Sequence, residues 1–378
     1  MSQPVLNIKK YFGRLKDPRI NRRKRHLLID IIGIAICAVI SGCDDWQQME
    51  TFARCRHDWL KRFLRLPNGI PSHDTFERVF ERLDPQAFQA CFRDWMQALH
   101  NALGVSQIAI DGKTLRASGT DRLKSLHLVS AWATSHALSL GQVAVDDKSN
   151  EITAIPQLLE LLDLNGALVT IDAMGCQRDI VAKIVAGGGD YVLTVKENQP
   201  HLLEDIQSCF LQAFDTDFQN CEYDSWETEE CGHGRREKRS YYILRNPTGI
   251  RNADAWEGLR VIGMCCSERY SQGKASDEVR YFIGSKKAGA KTYGRALRNH
   301  WRIENGLHWL LDVTFGEDKN RVSNRHGAEN LALVRRLALS LLKQHPDQKS
   351  IACKRLRAAL DPTFLEEVLA GADILEKI

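Results

Sequence analysis

Apolar residues along this chain keep a helical period up to about residue 100 and then switch to short strand-like runs. Leu27–Ile40 is apolar apart from Asp30. It falls short of the roughly 20 residues needed to cross a bilayer and predicts a buried helix instead. Trp46, Met49, Phe52 and Ala53, then Trp59, Phe63 and Leu64, recur at helical spacing. Asn68-Gly69 and Pro71-Ser72 mark a turn, Ser72-His73-Asp74 suits a cap for a helix over Thr75–Leu83, and Pro85 opens another over Gln86–Leu99. Residues 1–100 thus read as a small helical domain.

Beyond it the predicted strands are Gln107–Ile110, Leu126–Thr134, Ser139–Val145, Ala167–Ile171 and Tyr191–Val195, with helices at Ile155–Leu162 and Arg178–Ala186. The order β-β-β-α-β-α-β predicts a mixed sheet with flanking helices, the order of the ribonuclease-H-like (RNase H-like) α/β fold. A dinucleotide fold would alternate from the first strand and follow it with a glycine-rich turn, where this chain has DGKTLR. Residues 200–290 lose the pattern and read as a β-rich insertion. Helices at Tyr293–Val313 and Ala328–Gln344 complete a domain over residues 101–345, and 346–378 reads as a helical tail.

Composition narrows the class. With 43% hydrophobic and 26% charged residues, the 378-residue chain is ordinary globular protein. Its net charge of +4 is too small to argue for nucleic acid by itself. The local charge counts for more: KKYFGRLKDPRINRRKRH, residues 9–26 with Arg22, Arg23, Lys24 and Arg25, is either a solvated arm or a DNA-backbone contact. Eleven scattered cysteines without a C-x-x-C spacing read as free thiols in a reducing cytoplasm and offer no zinc site. Neither a signal peptide nor a P-loop is present, so a cytoplasmic protein without membrane contact is expected.

The candidate chemistry lies in carboxylates. Asp111 and Asp172 each end a short apolar run, IAID and VTID. Strand ends are rigid platforms, and two carboxylates brought close repel unless a cation lies between them. Oxygen ligands of this kind select Mg²⁺ or Mn²⁺. Taken singly, Asp111 reads as a turn residue and Asp172 as a helix cap; only the pair suggests chemistry. A third acid is expected from the helix RNHWRIENGLHWLLDVTF, where Glu304 borders the apolar stripe Ile303, Leu307, Leu310, and Asp312 is the rival.

The strings IAIDGKTLRAS, NEITAIPQLL, TIDAMGCQ, DYVLTVKENQ and RNHWRIENGLHWLLDVTFGED resemble the DDE transposases of bacterial insertion sequences, nearest the H-repeat-associated, Rhs-linked branch. GIPSHDTFERVF resembles that branch's associated helical domain. The resemblance implies an RNase H-like core on which Asp111, Asp172 and Glu304 hold two Mg²⁺ or Mn²⁺ ions. It implies cleavage and strand transfer at the terminal repeats of a mobile element, with double-stranded DNA as partner. Bringing two ends together calls for a homodimer on DNA, nucleoid-associated while bound. One departure stands out. A larger related group carries Tyr-x2-Arg-x3-Glu-x6-Lys, and here Leu297, His300, Glu304 and Leu311 occupy those positions, so only the acid matches. Arg298 and Arg302 stand nearest as replacements, and both, with His300, are among the expected DNA contacts.

Lys113 and Arg116 after the first acid, and Lys196, Asn198 and Gln199 after the fifth strand, are further expected DNA contacts. Trp301 and Trp309 are expected to pack rather than stack on bases. Competing readings are an RNase H-like nuclease without strand transfer and a catalytically silent DNA-binding remnant.

Overall fold

The computed structural model describes residues 6–21, 24–103, 107–119, 124–146, 149–219, 221–232, 235–271 and 274–371. Six helices lead: α1 (Leu6–Phe12), α2 (Leu28–Ile40), α3 (Trp46–Cys55), α4 (His57–Lys61), α5 (His73–Arg82) and α6 (Pro85–Leu103). There follow β1 (Gln107–Leu115), β2 (Leu126–Ala133), β3 (Leu138–Ala144), α7 (Glu151–Glu160), β4 (Leu168–Ile171), α8 (Arg178–Ala186) and β5 (Asp190–Val195). Next come α9 (Pro200–Asp215) and the long strands β6 (Tyr223–Gly232), β7 (Arg235–Arg245), β8 (Val261–Ser271) and β9 (Lys274–Gly284). The chain ends with α10 (Ala290–His300), α11 (Trp309–Val313), α12 (Arg325–Gln344), α13 (Ile351–Leu360) and α14 (Pro362–Ala370).

The described strands form a nine-stranded mixed sheet in the order β3-β2-β1-β4-β5-β9-β8-β7-β6. β2 and β3 pair antiparallel, whereas β4 runs parallel to both β1 and β5. β9 joins antiparallel to β5 and carries the remaining three strands as a meander. No described helix is long and apolar enough to cross a membrane.

The chain divides into two compact units, and β1 runs through both. Unit one comprises Met1–Val105, Gly112–Lys148 and Glu304–Ile378. Its centre is α12, buried on nearly every side and packed by α2, α5, α6 and β3. From Ile31 to Ile40 every residue of α2 is buried, which explains a run too uniformly apolar for an amphipathic helix. The basic segment begins inside this unit as a docked helix: Ile8 and Phe12 of α1 are buried, and Tyr11 stacks on Trp95 at 5.6 Å.

Unit two comprises Ser106–Asp111 and Ser149–Ile303. Here α10 covers one face of the sheet, through a cluster with Leu168, Val192, Ile243, Phe282 and Tyr293. The opposite face of the meander is covered by α9, whose Phe210 and Phe214 meet Tyr281 and Tyr242. Three elements differ from the sequence reading. β1 runs on through Asp111 and Gly112 to Leu115, where the sequence reading ends the strand at Ile110. Residues 200–290 open on a sixteen-residue helix, α9, before the strands begin. The helix expected over Tyr293–Val313 is interrupted: α10 stops at His300, Glu304–His308 forms a π-helical turn, and α11 follows.

Candidate active site

β1 and β4 pair in parallel with Ile110 opposite Ile171. Asp111 and Asp172 are the residues that follow this last matched pair, Asp111 within β1, which runs on to Leu115, and Asp172 directly after β4. Apolar side chains on both strands are buried, so the pairing cannot shift register without exposing them.

Asp172 is held in place by its own loop. Its Oδ1 accepts the Met174 N–H at 3.1 Å and caps the 3-10 turn Ala173–Gly175. Gly175 is required there, because a Cβ would lie 2.3 Å from Cγ2 of Ile171. Asn198 and Gln199, expected to touch DNA, instead reach back to this loop. Asn198 Nδ2 donates to the Ala173 carbonyl at 2.8 Å, and Gln199 Nε2 donates to the Cys176 carbonyl at 2.9 Å. Both brace the segment that carries Asp172.

The electrostatics of Asp172 mark it out. Desolvation, then the Glu151 carboxylate, push its pKa above the ordinary aspartate value, while backbone N–H groups and Lys196 pull the other way. Glu151 opens α7 behind the Asn150 cap. Sequence reasoning gave it no role, although Asn-Glu ahead of an apolar run is a helix-start signal that places an acid at a defined point. A cavity of about 570 Å³ lies nearby, lined among others by Ile152, Pro156, Gln177, Arg178 and Gln199.

Behind the carboxylates α10 is fixed to the sheet by polar contacts. Gln107 Nε2 donates to the Ala296 carbonyl at 2.8 Å, and His300 Nδ1 lies 3.1 Å from Thr170 Oγ1. Burial lowers the His300 pKa to about 4, so it is neutral at physiological pH and spends its polarity on β4. Four residues after His300, where α10 ends, the π turn begins at Glu304. Such turns cluster at functional positions. Glu304 is exposed, and among the described residues no ion pair engages it.

Asp312, its rival, is engaged. Lys113 Nζ lies 2.5 Å from Asp312, 3.2 Å from Glu317 and 3.2 Å from Asp318. Glu317 also meets the buried Arg336 at 3.0 Å. Lys113 is thus committed to an ion cluster inside unit one and is not presented to phosphate. Arg116 is exposed and lies 3.6 Å from Asp318. Lys196 is exposed near Asp172, Arg298 pairs with Glu230 at 2.7 Å, and Arg302, Lys24 and Arg25 are exposed. Arg22 and Arg23 lie outside the described residues. Trp301 and Trp309 are 42% and 55% exposed, contrary to the packing role expected of them. Among the described residues no three His, Cys, Asp or Glu side chains converge as a metal cage.

Comparison with known proteins gives this geometry a context. Residues 104–341 match the family described as the Transposase DDE domain, and residues 9–96 match its DDE_Tnp_1-associated family. The chain is 41% identical over 373 residues to the transposase-named YncI of Escherichia coli O157:H7, covering 97% of this chain and 95% of that one. It is 39% identical over 368 residues to the H repeat-associated, transposase-named YhhI of Escherichia coli (strain K12), covering 95% and 97%. Among solved structures it is similar to the piggyBac transposase synaptic complex with hairpin DNA, at a TM-score of 0.43 and 11% identity over 97% of this chain and 81% of that one, too slight a likeness to bear on function.

Proposed function

This chain belongs to the DDE transposase family, and on that premise we propose that it cleaves DNA at the ends of a mobile element and joins the freed 3′-OH to a target. Asp111, Asp172 and Glu304 are the proposed catalytic carboxylates. The observation that carries the proposal is the pair of aspartates that follow the register-matched Ile110 and Ile171 of parallel β1 and β4, Asp111 within β1 and Asp172 just past the end of β4. The strand order, an antiparallel β3-β2 pair followed by β1-β4-β5, supports an RNase H-like core. For Glu304 the support is the π turn that begins on it. The engagement of Asp312 with Lys113 weighs against the alternative.

The donor chemistry fits Mg²⁺ or Mn²⁺. Asp111 and Asp172 offer only hard oxygens, and Asp172 already carries repulsion from Glu151 that a divalent cation would relieve. Two such ions, when bound, would supply Lewis acidity to the attacking and leaving oxygens of an in-line displacement. The protein's own part is positioning. Asn198 and Gln199 hold the Asp172 loop, and His300 and Gln107 hold α10 on the sheet. Lys196, exposed and within electrostatic reach of Asp172, is placed to pair with a phosphate. Two ends must be joined at once, so the proposed working form on DNA is a homodimer.

The test is incubation with duplex DNA carrying the terminal repeats that flank the gene, with Mg²⁺ or Mn²⁺, comparing wild type with Asp111→Asn and Glu304→Gln. Metal-dependent 3′-OH ends and joined products are expected from wild type alone. Cleavage that survives Asp111→Asn would overturn the assignment. Wild-type binding without cleavage would favour the silent remnant, and cleavage without joining the plain nuclease.

A further inference from the structure

The meander β6-β7-β8-β9 extends past the helices that cover its base, and its two faces differ in charge. Strand registers assign each side chain to a face. Glu230 opposes Glu237, Glu237 opposes Arg269, and Arg269 opposes Ser276, so all four share a face. By the two-residue alternation of a strand, Arg235, Arg239, Lys274, Glu278 and Arg280 share it too. It is also the α10 face, since Trp226 and Tyr241 on it pack against Gly294 of α10. The neighbouring residues fall on the other face: Glu227, Glu229, Glu268 and Asp277, with Arg236 and Lys238. Among the described residues beyond the covering helices, the α10 face is net basic and the α9 face net acidic.

The basic face is also short of acceptors. Glu237, nearly buried, is approached by Arg235 at 3.0 Å, Arg239 at 2.7 Å and Arg269 at 3.5 Å. One carboxylate cannot satisfy three guanidiniums with five donors each. Arg235 and Arg269 keep 43% and 50% of their side-chain surface exposed, which leaves donors facing solvent. The same face runs on to the end of α10, where Arg298 is 43% exposed and Arg280 lies 5.1 Å over the ring of the exposed Trp301.

We infer that the α10 face of this meander docks the sugar-phosphate backbone of duplex DNA, with Arg235, Arg269 and Lys274 as contacts and Glu237 as the residue that keeps the arginines extended. The occupant follows from charge complementarity: spaced guanidiniums with spare donors match regularly spaced phosphates. The inference rests on the DNA-acting role proposed above and assigns its binding surface.

Two double variants remove the same charge from opposite faces: Arg269→Gln with Lys274→Gln on the α10 face, and Arg236→Gln with Lys238→Gln on the other. Neither touches the proposed carboxylates, and Glu237 keeps Arg235 and Arg239 in the first. Affinity for a labelled linear duplex is measured without metal across a salt series, with thermal melting as the check on folding. The α10-face variant should bind about 10-fold or more weakly near 0.1 M salt, with the log–log salt slope reduced by about 2. The opposite-face variant should bind like wild type. Restoring charge with Arg269→Lys and Lys274→Arg should recover binding. Unchanged affinity in the first variant, or equal losses in both, would overturn the inference. Binding is read without cleavage, so a failed cleavage assay leaves this result standing and bears only on the catalytic proposal.

Discussion

Asn198 shows how one side chain separates two accounts of the same motif. Placed after β5 near the carboxylate edge, it reads in the sequence as a DNA contact, but its amide is spent on the Ala173 carbonyl. If it positions Asp172, Asn198→Ala should lower the cleavage rate by about 10- to 100-fold, the order expected when a reacting group moves by an ångström or less. Duplex affinity and melting temperature should hardly change. Loss of affinity with an unchanged rate constant at saturating DNA would return Asn198 to the phosphate-contact role. Lys113 shows the same contrast more sharply, because its ammonium is shared among three carboxylates. The fully buried Arg336–Glu317 pair anchors that cluster. Arg336→Met should cost about 3–5 kcal/mol in denaturant unfolding by leaving the Glu317 charge buried and short of a partner. A midpoint within error of wild type would show that the cluster rearranges.

At the scale of elements, legibility followed hydrophobic contrast. IAID and VTID are short apolar runs ending on an acid, so both strands and the acids that follow their buried residues could be read directly, and the register sets Ile110 beside Ile171, although β1 itself runs on to Leu115. α9 was missed although Pro200 stands at its first turn and Leu202, Ile206, Phe210 and Ala213 form its buried stripe; the polar stretch beyond it hid a regular period. The π turn at Glu304 has no sequence signature, since one inserted residue per turn leaves the apolar stripe nearly intact. α12 is a different case. Buried almost all round, it carries Arg335 and Arg336 inward, where a stripe model would send them to solvent. Its Glu329 is also distinctive: desolvation, with Asp84 and Asp146 against Arg325, raises the pKa to about 7. A raised carboxyl pKa favours the protonated folded state. That contribution is fully present below the unfolded value near 4.5 and is lost as pH rises through about 7. Glu329→Gln should therefore raise the melting temperature at pH 8 and leave it nearly unchanged at pH 4. An equal shift at both would point to packing rather than titration.

For the whole molecule, the chain passes between its two units four times, at Val105–Ser106, Asp111–Gly112, Lys148–Ser149 and Ile303–Glu304. The sequence reads residues 346–378 as a small helical tail, and α13 and α14 are its described helices. Within unit one they are tied to the first helices. Arg355 donates to the Val39 carbonyl at 3.2 and 3.1 Å, pairs with Asp44 at 2.7 Å and lies 4.1 Å over the Phe315 ring. Lys354 closes the last carbonyls of α12 through Leu342 and His345 at 2.8 and 2.9 Å. Trp59 donates to Glu366 at 2.7 Å, while Phe364, Val368 and Leu369 are completely buried. Such a segment contributes to the fold of the helices on which it rests, because α2 has no polar face to show water in its absence. Arg355→Ala should lower the unfolding free energy read from denaturant titration by about 3 kcal/mol or more, through carbonyls left without donors and a cavity over Phe315. Truncation after Gln344 should go further and yield a chain whose Trp46 and Trp59 fluorescence reports an unfolded or aggregated unit one. A truncated chain that melts cooperatively at the wild-type temperature would establish the tail as an independent appendage and remove its contacts from any account of stability.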